Sequence, residues 1–174
     1  MKKVFIDGSQ GTTGLKIYKR FENRNDIELL HIDDYKRKDA SERARMINES
    51  DITFLCLPDT ASIEAVELVK NDNVVIIDTS TAHRTNNDWA YGFPELDKTF
   101  RDKIKASKRI AVPGCYASGF NSIVYPLIAN GFMPADYPIT CYAMSGYTGA
   151  GKTVLLNTKA RTDRKSLIHQ GNMH

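Results

Sequence analysis

Cysteine is scarce. The three cysteines among 174 residues, at 56, 115 and 141, are odd in number and lack any CxxC spacing. They offer neither a disulfide framework nor a tetrahedral zinc site, and no metal is expected. No run of eighteen apolar residues occurs, so no membrane-spanning helix is predicted. The opening MKKVFIDG is too short in apolar residues for the core of a signal peptide, and the chain reads as cytoplasmic. Charge of one sign is also missing: 24 Lys and Arg stand against 21 Asp and Glu, a formal net charge of +3. That balance is too mild to call for nucleic acid or an anionic membrane as partner. Repeats and low-complexity tracts are absent, and 41% hydrophobic with 26% charged residues is ordinary globular composition. Since one domain typically takes ~150 residues, the length leaves a modest surplus beyond one domain and too little for two.

What is present is alternation. Short apolar runs at 4–6, 27–32, 52–57, 74–77 and 110–112 look like buried strands of a parallel sheet. Segments of helical length at 14–21, 40–48, 61–70 and 96–108 separate them. The clearest helical period follows the fifth run, where Phe120, Ile123, Val124, Leu127 and Ile128 share one apolar face. This order predicts an α/β fold, a doubly wound parallel sheet of Rossmann type. After Asn130-Gly131 the texture changes, and 139–144 reads as one more strand before a polar, basic stretch. The boundary is set near residue 135, giving a dinucleotide-binding domain at 1–135 and the start of a second, incomplete domain at 136–174.

The first strand runs into Gly8-Ser9-Gln10-Gly11-Thr12-Thr13-Gly14, a GxxGxxG variant of the dinucleotide turn. Such a turn needs residues without Cβ so that backbone can approach a pyrophosphate, and the next helix offers its first amides to the anion. Ser9, Thr12 and Thr13 add hydroxyl donors. Asp33 stands nineteen residues after Gly14, where a carboxylate holding a ribose 2′-hydroxyl favours NAD. Lys36, Arg37 and Lys38 follow at once and suit a 2′-phosphate, so the residues leave NAD and NADP both open.

Cys115 lies in VPGCYASG, just past the fifth strand and at the opening of the amphipathic helix. The start of a helix presents unsatisfied amides that favour a thiolate. Cys115 is therefore the candidate nucleophile, whereas Cys56 and Cys141, inside apolar runs, read as packed. A nicotinamide cofactor beside a nucleophilic thiol suggests one chemistry: thiolate attack on an acyl group, then hydride reduction of the thioester.

The segments DGSQGTTG, CLPD, IDTSTAHR, WAYGFPE, VPGCYASG and SGYTGAGK, in this order, resemble the short type of N-acetyl-γ-glutamyl-phosphate reductase, a family related to aspartate-semialdehyde dehydrogenase. The resemblance runs from residue 2 to about 153. It implies reduction of a small acyl phosphate, N-acetylglutamyl 5-phosphate, to its semialdehyde by NADPH, with phosphate release, in arginine biosynthesis. It also implies a homo-oligomer and an α+β catalytic or dimerisation domain after residue 135. Cys115 matches the family nucleophile, Gly8, Gly11 and Gly14 match the pyrophosphate turn, and Ser145 and Gly146 match the segment beside the nicotinamide. The family's cofactor preference tips the choice to NADP, with Lys36 or Arg37 on the 2′-phosphate.

One departure stands out. The family's acid–base histidine, in a motif like HKHxPE, has no counterpart here. His169 and His174 have the wrong neighbours, His31 reads as packed in a strand, and His83 beside Arg84 suits either the substrate pocket or loop packing. The chain is therefore expected to be cut within its second domain, to bind cofactor, and to turn over poorly; a non-catalytic cofactor-binding fragment is one alternative. A competing motif is GYTGAGKT at 146–153, which satisfies the P-loop pattern GxxxxGK[ST] and would predict an NTPase. Only 21 residues follow Thr153, too few for the later strand that carries the magnesium-binding Asp, and the pattern reads as coincidence.

Overall fold

The structure is a computed structural model that describes residues 1–144. The described residues form six strands and five helices in the order β1 (Lys2–Asp7), α1 (Thr12–Phe21), β2 (Ile27–Leu30), α2 (Ala40–Glu49), β3 (Ile52–Leu55), α3 (Asp59–Glu67), β4 (Val75–Asp78), β5 (Ala90–Tyr91), α4 (Lys98–Ala106), β6 (Arg109–Ala111) and α5 (Cys115–Ala129). All six strands pair in parallel, in the order β2-β1-β3-β4-β6-β5. The chain runs outward from β1 to β2 and then crosses back to β3 on β1's other side. The carboxyl ends of β1 and β3 thus form the switch point where ligands of such sheets bind.

Register aligns the working edge. Asp7 faces Leu55, Leu55 faces Asp78, and Asp78 faces Ala111. Just beyond this rank, backbone bonds continue from Cys56 N to Asp7 O (2.8 Å), Thr79 N to Leu55 O (3.0 Å) and Val112 N to Asp78 O (2.8 Å). The main core cluster lies on one face of the sheet, where Phe5, Leu55, Val74 and Ile76 pack against Met46 and Ile47 of α2 and Ala65 of α3, while Val4 and Ile6 of β1 are buried on the other face. Each fully buried Leu or Ile side chain there contributes roughly 1.5–3 kcal/mol.

The helix starts fall into two kinds. After the edge strands β2 and β5, Asp39 and Asp97 accept from the first amides of α2 and α4. After the inner strands β1, β3 and β6, helices α1, α3 and α5 begin at Gly11, Pro58 and Gly114 with no side-chain cap. Free amides therefore gather at the middle of the carboxyl edge, where an anion would use them.

Two expectations are corrected. Residues 139–144 form no strand: no described element offers the ladder partner a strand needs, and Tyr142 and Met144 are 86% and 80% exposed. Cys141 is exposed with them rather than packed. The apolar face of α5 is not core in the described residues, since no α5 residue is buried and Ile123 is 67% exposed. The helix is held instead from another side, by Tyr125 donating to Asp97 and by Asn121 donating to the Tyr91 hydroxyl. The two-residue strand β5 is too short to leave a periodic signal.

The chain divides into two units, Met1–Ile139 and Thr140–His174. No helix among the described residues is long and apolar enough to cross a membrane.

Candidate active site

Gly8 stands at φ +86°, a backbone region that side chains avoid, and a Cβ there would lie 2.3 Å from Cys56 O. Gly14 is buried in the first turn of α1, and a Cβ on it would lie 2.2 Å from Gly8 O. The first glycine thus lets β1 turn sharply beside β3, and the third lets α1 seat on that turn. Gly11 caps the helix: its N–H donates to Gly8 O (3.0 Å) and its carbonyl accepts from Leu15 N (2.9 Å). Thr12 and Thr13 are exposed at the helix start, and Ser9 is half-buried in the turn. A pyrophosphate fits a cradle that side chains would fill and whose amides lack a cap.

Behind the turn, Asp7 and Arg43 form a buried ion pair at 2.9 Å. Burial pushes the Asp7 carboxyl up and Arg43 opposes it. On the outer side, Gln10 donates to Asp34 and accepts from Arg37, tying the glycine turn to the loop after β2. Arg37 is exposed there, and the Lys36 ammonium lies 5.7 Å from the Tyr35 ring centre. The sequence had not signalled Gln10 or Arg43. Their only trace was a strand-terminal Asp needing a cation, and an amide inside the turn.

Cys115 is exposed and is the first residue of α5. Arg84 reaches its turn: Nε donates to Val112 O (2.9 Å) and Nη2 to Thr79 O (3.0 Å). The loop carrying Arg84 is pinned by His83, whose Nδ1 lies 2.7 Å from Asp78 Oδ2 and whose ring stacks on Trp89 at 4.0 Å. Asp78, fully buried, also accepts from Ser62 Oγ, Ser80 N and Ser80 Oγ. His83 is thus committed to packing. His31 is exposed past the end of β2, edge-on to Tyr18, not packed within a strand. Cys56 is half-buried, and burial pushes its thiol up to about 11. A cleft of about 510 Å³ beside Trp89, Tyr91, Phe100 and Lys103 includes neither the glycine turn nor Cys115. Ser145, Gly146 and the GYTGAGKT stretch lie outside the described residues. The described residues hold no metal-binding cluster of His, Cys, Asp or Glu.

Residues 3–107 match the model of the semialdehyde dehydrogenase NAD-binding domain. The chain belongs to this family. Residues 115–169 match the semialdehyde dehydrogenase dimerisation domain, a span that takes in GYTGAGKT. The chain is 53% identical over 153 residues to an N-acetyl-gamma-glutamyl-phosphate reductase of Trichormus variabilis, covering 88% of this chain and 48% of that protein. It is likewise 53% identical over 154 residues to one of Rhizobium etli, covering 88% of this chain and 50% of that protein. The chain therefore spans about half the length of the curated relatives it matches. A crystal structure of aspartate semialdehyde dehydrogenase with NADP from Candida albicans shares the fold, with TM-score 0.53 at 13% identity, covering 74% of this chain and 47% of that one.

Proposed function

We propose that the chain carries the cofactor-binding and nucleophile-bearing part of an NADPH-dependent reductase that converts N-acetylglutamyl 5-phosphate to its semialdehyde in arginine biosynthesis. The placement of Cys115 supports this most: an exposed thiol at an uncapped helix start, on the same sheet edge as a glycine cradle. The names of the relatives and the NADP of the Candida structure agree with it.

In this mechanism the Cys115 thiolate attacks the acyl-phosphate carbon. The bond from that carbon to the phosphate oxygen breaks, phosphate leaves with the electron pair, and a thioester remains on Sγ. The free amides at the start of α5 favour negative charge developing on the acyl oxygen. When bound, the nicotinamide supplies the hydride that takes the thioester to aldehyde level. The carbon–sulfur bond then breaks, freeing the semialdehyde and returning the thiolate. Gly8, Ser9, Gly11, Thr12, Thr13 and Gly14 would hold the pyrophosphate by backbone and hydroxyl donors. Arg37, kept at the turn by Gln10, and Lys36 would take the 2′-phosphate, and Ser145 and Gly146 are assigned to the nicotinamide end on the family resemblance alone. We assign the cofactor domain to 1–135 and the start of a catalytic or dimerisation domain to 136–174, in a cytoplasmic homo-oligomer.

The test offers the purified chain NADPH, ATP and iodoacetamide in turn. Enhanced NADPH fluorescence, with alkylation falling first on Cys115, is expected. ATP binding that Lys152→Ala abolishes would replace this reading with a P-loop NTPase.

A further inference from the structure

We infer that Arg84 positions Cys115, and that residue 114 is glycine to make room for the Arg84 guanidinium. The inference rests on the reading of Cys115 as nucleophile.

Gly114 has φ −75° and ψ 159°, an extended conformation open to any residue, so backbone strain does not require glycine here. It is also the N-cap of α5, where Ser, Asn or Asp would ordinarily bond the free amides. Space explains the choice. A Cβ at Gly114 would lie 2.8 Å from Arg84 Nη1 and 3.4 Å from Cζ. The guanidinium occupies the place of that missing side chain, while Nε and Nη2 grip carbonyls at the ends of the neighbouring strands β6 and β4. Two N–H groups pointing apart at fixed geometry are what a planar fork supplies and a lysine ammonium does not. The grip is anchored at its base, because the preceding residue, His83, is locked between Asp78 and Trp89. A path of direct contacts thus runs from buried Asp78 through His83 and Arg84 to the residue that precedes the thiol. Arg84 is a positioning residue: it fixes the turn on which Cys115 rides.

The test measures iodoacetamide alkylation at each cysteine by peptide mass spectrometry in Arg84→Ala, Gly114→Ala and the double variant. Cys141 serves as the rate reference and protected Cys56 as the reporter of folding. Each single variant is expected to change the Cys115 rate by about fivefold or more relative to Cys141, and the double to do no more than either alone. Millimolar guanidinium ion should restore the rate in Arg84→Ala but not in the double variant, where the alanine methyl fills the space. An unchanged Cys115 rate in folded Arg84→Ala, or independent effects of the two substitutions, overturns the inference. So does exposure of Cys56 in both single variants, which makes Arg84 a residue of general stability. Alkylation requires neither cofactor nor substrate. A chain that fails to bind NADPH but keeps this coupling therefore refutes the reductase reading alone.

Discussion

Gly14→Ala sets two effects of opposite sign against each other. Gly14 sits inside α1, where replacing glycine by alanine ordinarily stabilises a helix by about 1 kcal/mol. Its added methyl, however, would lie 2.2 Å from Gly8 O and 2.8 Å from Ser9 Cα, both backbone atoms of the glycine turn. No side chain can swing aside, so α1 or the turn must move by more than an ångström. Overpacking of this kind costs typically about 1–3 kcal/mol and more where backbone resists, which outweighs the propensity gain. Gly119→Ala is the matched control, because a Cβ there meets nothing within 4 Å inside α5. Urea unfolding followed by the single tryptophan, Trp89, should show Gly14→Ala destabilised by about 1–2 kcal/mol. Gly119→Ala should be stabilised by up to about 1 kcal/mol. Gly14→Ala should also weaken NADPH binding, since the amides of α1 move with the helix. A Gly14→Ala protein as stable as the parent would refute the claim that close packing, rather than chance, put glycine at that position.

Arg37→Ala should weaken NADPH by roughly tenfold, about 1.4 kcal/mol, and leave NADH affinity unchanged in a fluorescence titration; equal losses for both would remove Arg37 from the 2′-phosphate site. Ile123→Ser should alter urea stability by no more than about 0.5 kcal/mol, because Ile123 is 67% exposed; a large loss would return the apolar face of α5 to the core. Arg43→Met leaves Asp7 buried without its cation and should cost about 3–5 kcal/mol near neutral pH. Burial already raises the Asp7 carboxyl above 3.8, and without Arg43 only the backbone hydrogen bond from Gly8 opposes the rise. The folded state then keeps a proton that the unfolded chain releases, so the variant is most stable below the unfolded pKa and loses stability as pH climbs through the higher folded one. Unfolding midpoints measured upward from about pH 4 should fall, and Asp7→Asn in the same background should flatten the slope. A flat profile in Arg43→Met alone would refute it.

Strands β1, β2, β3, β4 and β6 were legible because each is a short apolar run closed by Asp, Pro or Gly, with segments of helical length between them, whereas the two residues of β5 were not. Cys115 was legible because a small-residue turn between a strand and a periodic helix places a thiol at a helix start. Where pairing across distance decides, the residues alone were silent. Gln10 with Arg37 spans 27 positions, Arg43 with Asp7 spans 36, and Arg84 with Val112 spans 28. The apolar stripe of α5 is the opposite case. Periodicity reveals that a helix has an apolar side but says nothing of what covers it, and the described residues leave Ile123 and Leu127 exposed.

The two kinds of helix start connect these observations. Aspartate caps stabilise a helix by about 1 kcal/mol each, and α2 and α4 carry them beside the edge strands. At α1 and α5 that stabilisation is forgone, and in both places a glycine stands where a cap would be. Gly11 leaves the first amides of α1 open beside a turn that Gly8 and Gly14 shape for close backbone approach. Gly114 leaves those of α5 open and admits Arg84 instead. At both positions a Cβ would also be crowded, 3.3 Å from Gly8 O at Gly11 and 2.8 Å from Arg84 Nη1 at Gly114, so the open amides at the middle of the sheet edge go with close packing of the turn and of Arg84. Gly11→Asp tests the turn: the few tenths of a kcal/mol that an aspartate cap adds over glycine are set against a Cβ 3.3 Å from Gly8 O, so urea stability should stay within about 0.5 kcal/mol, while NADPH should weaken by about tenfold or more because a carboxylate sits among the amides. A folded variant undiminished in NADPH affinity would place the pyrophosphate somewhere other than this turn.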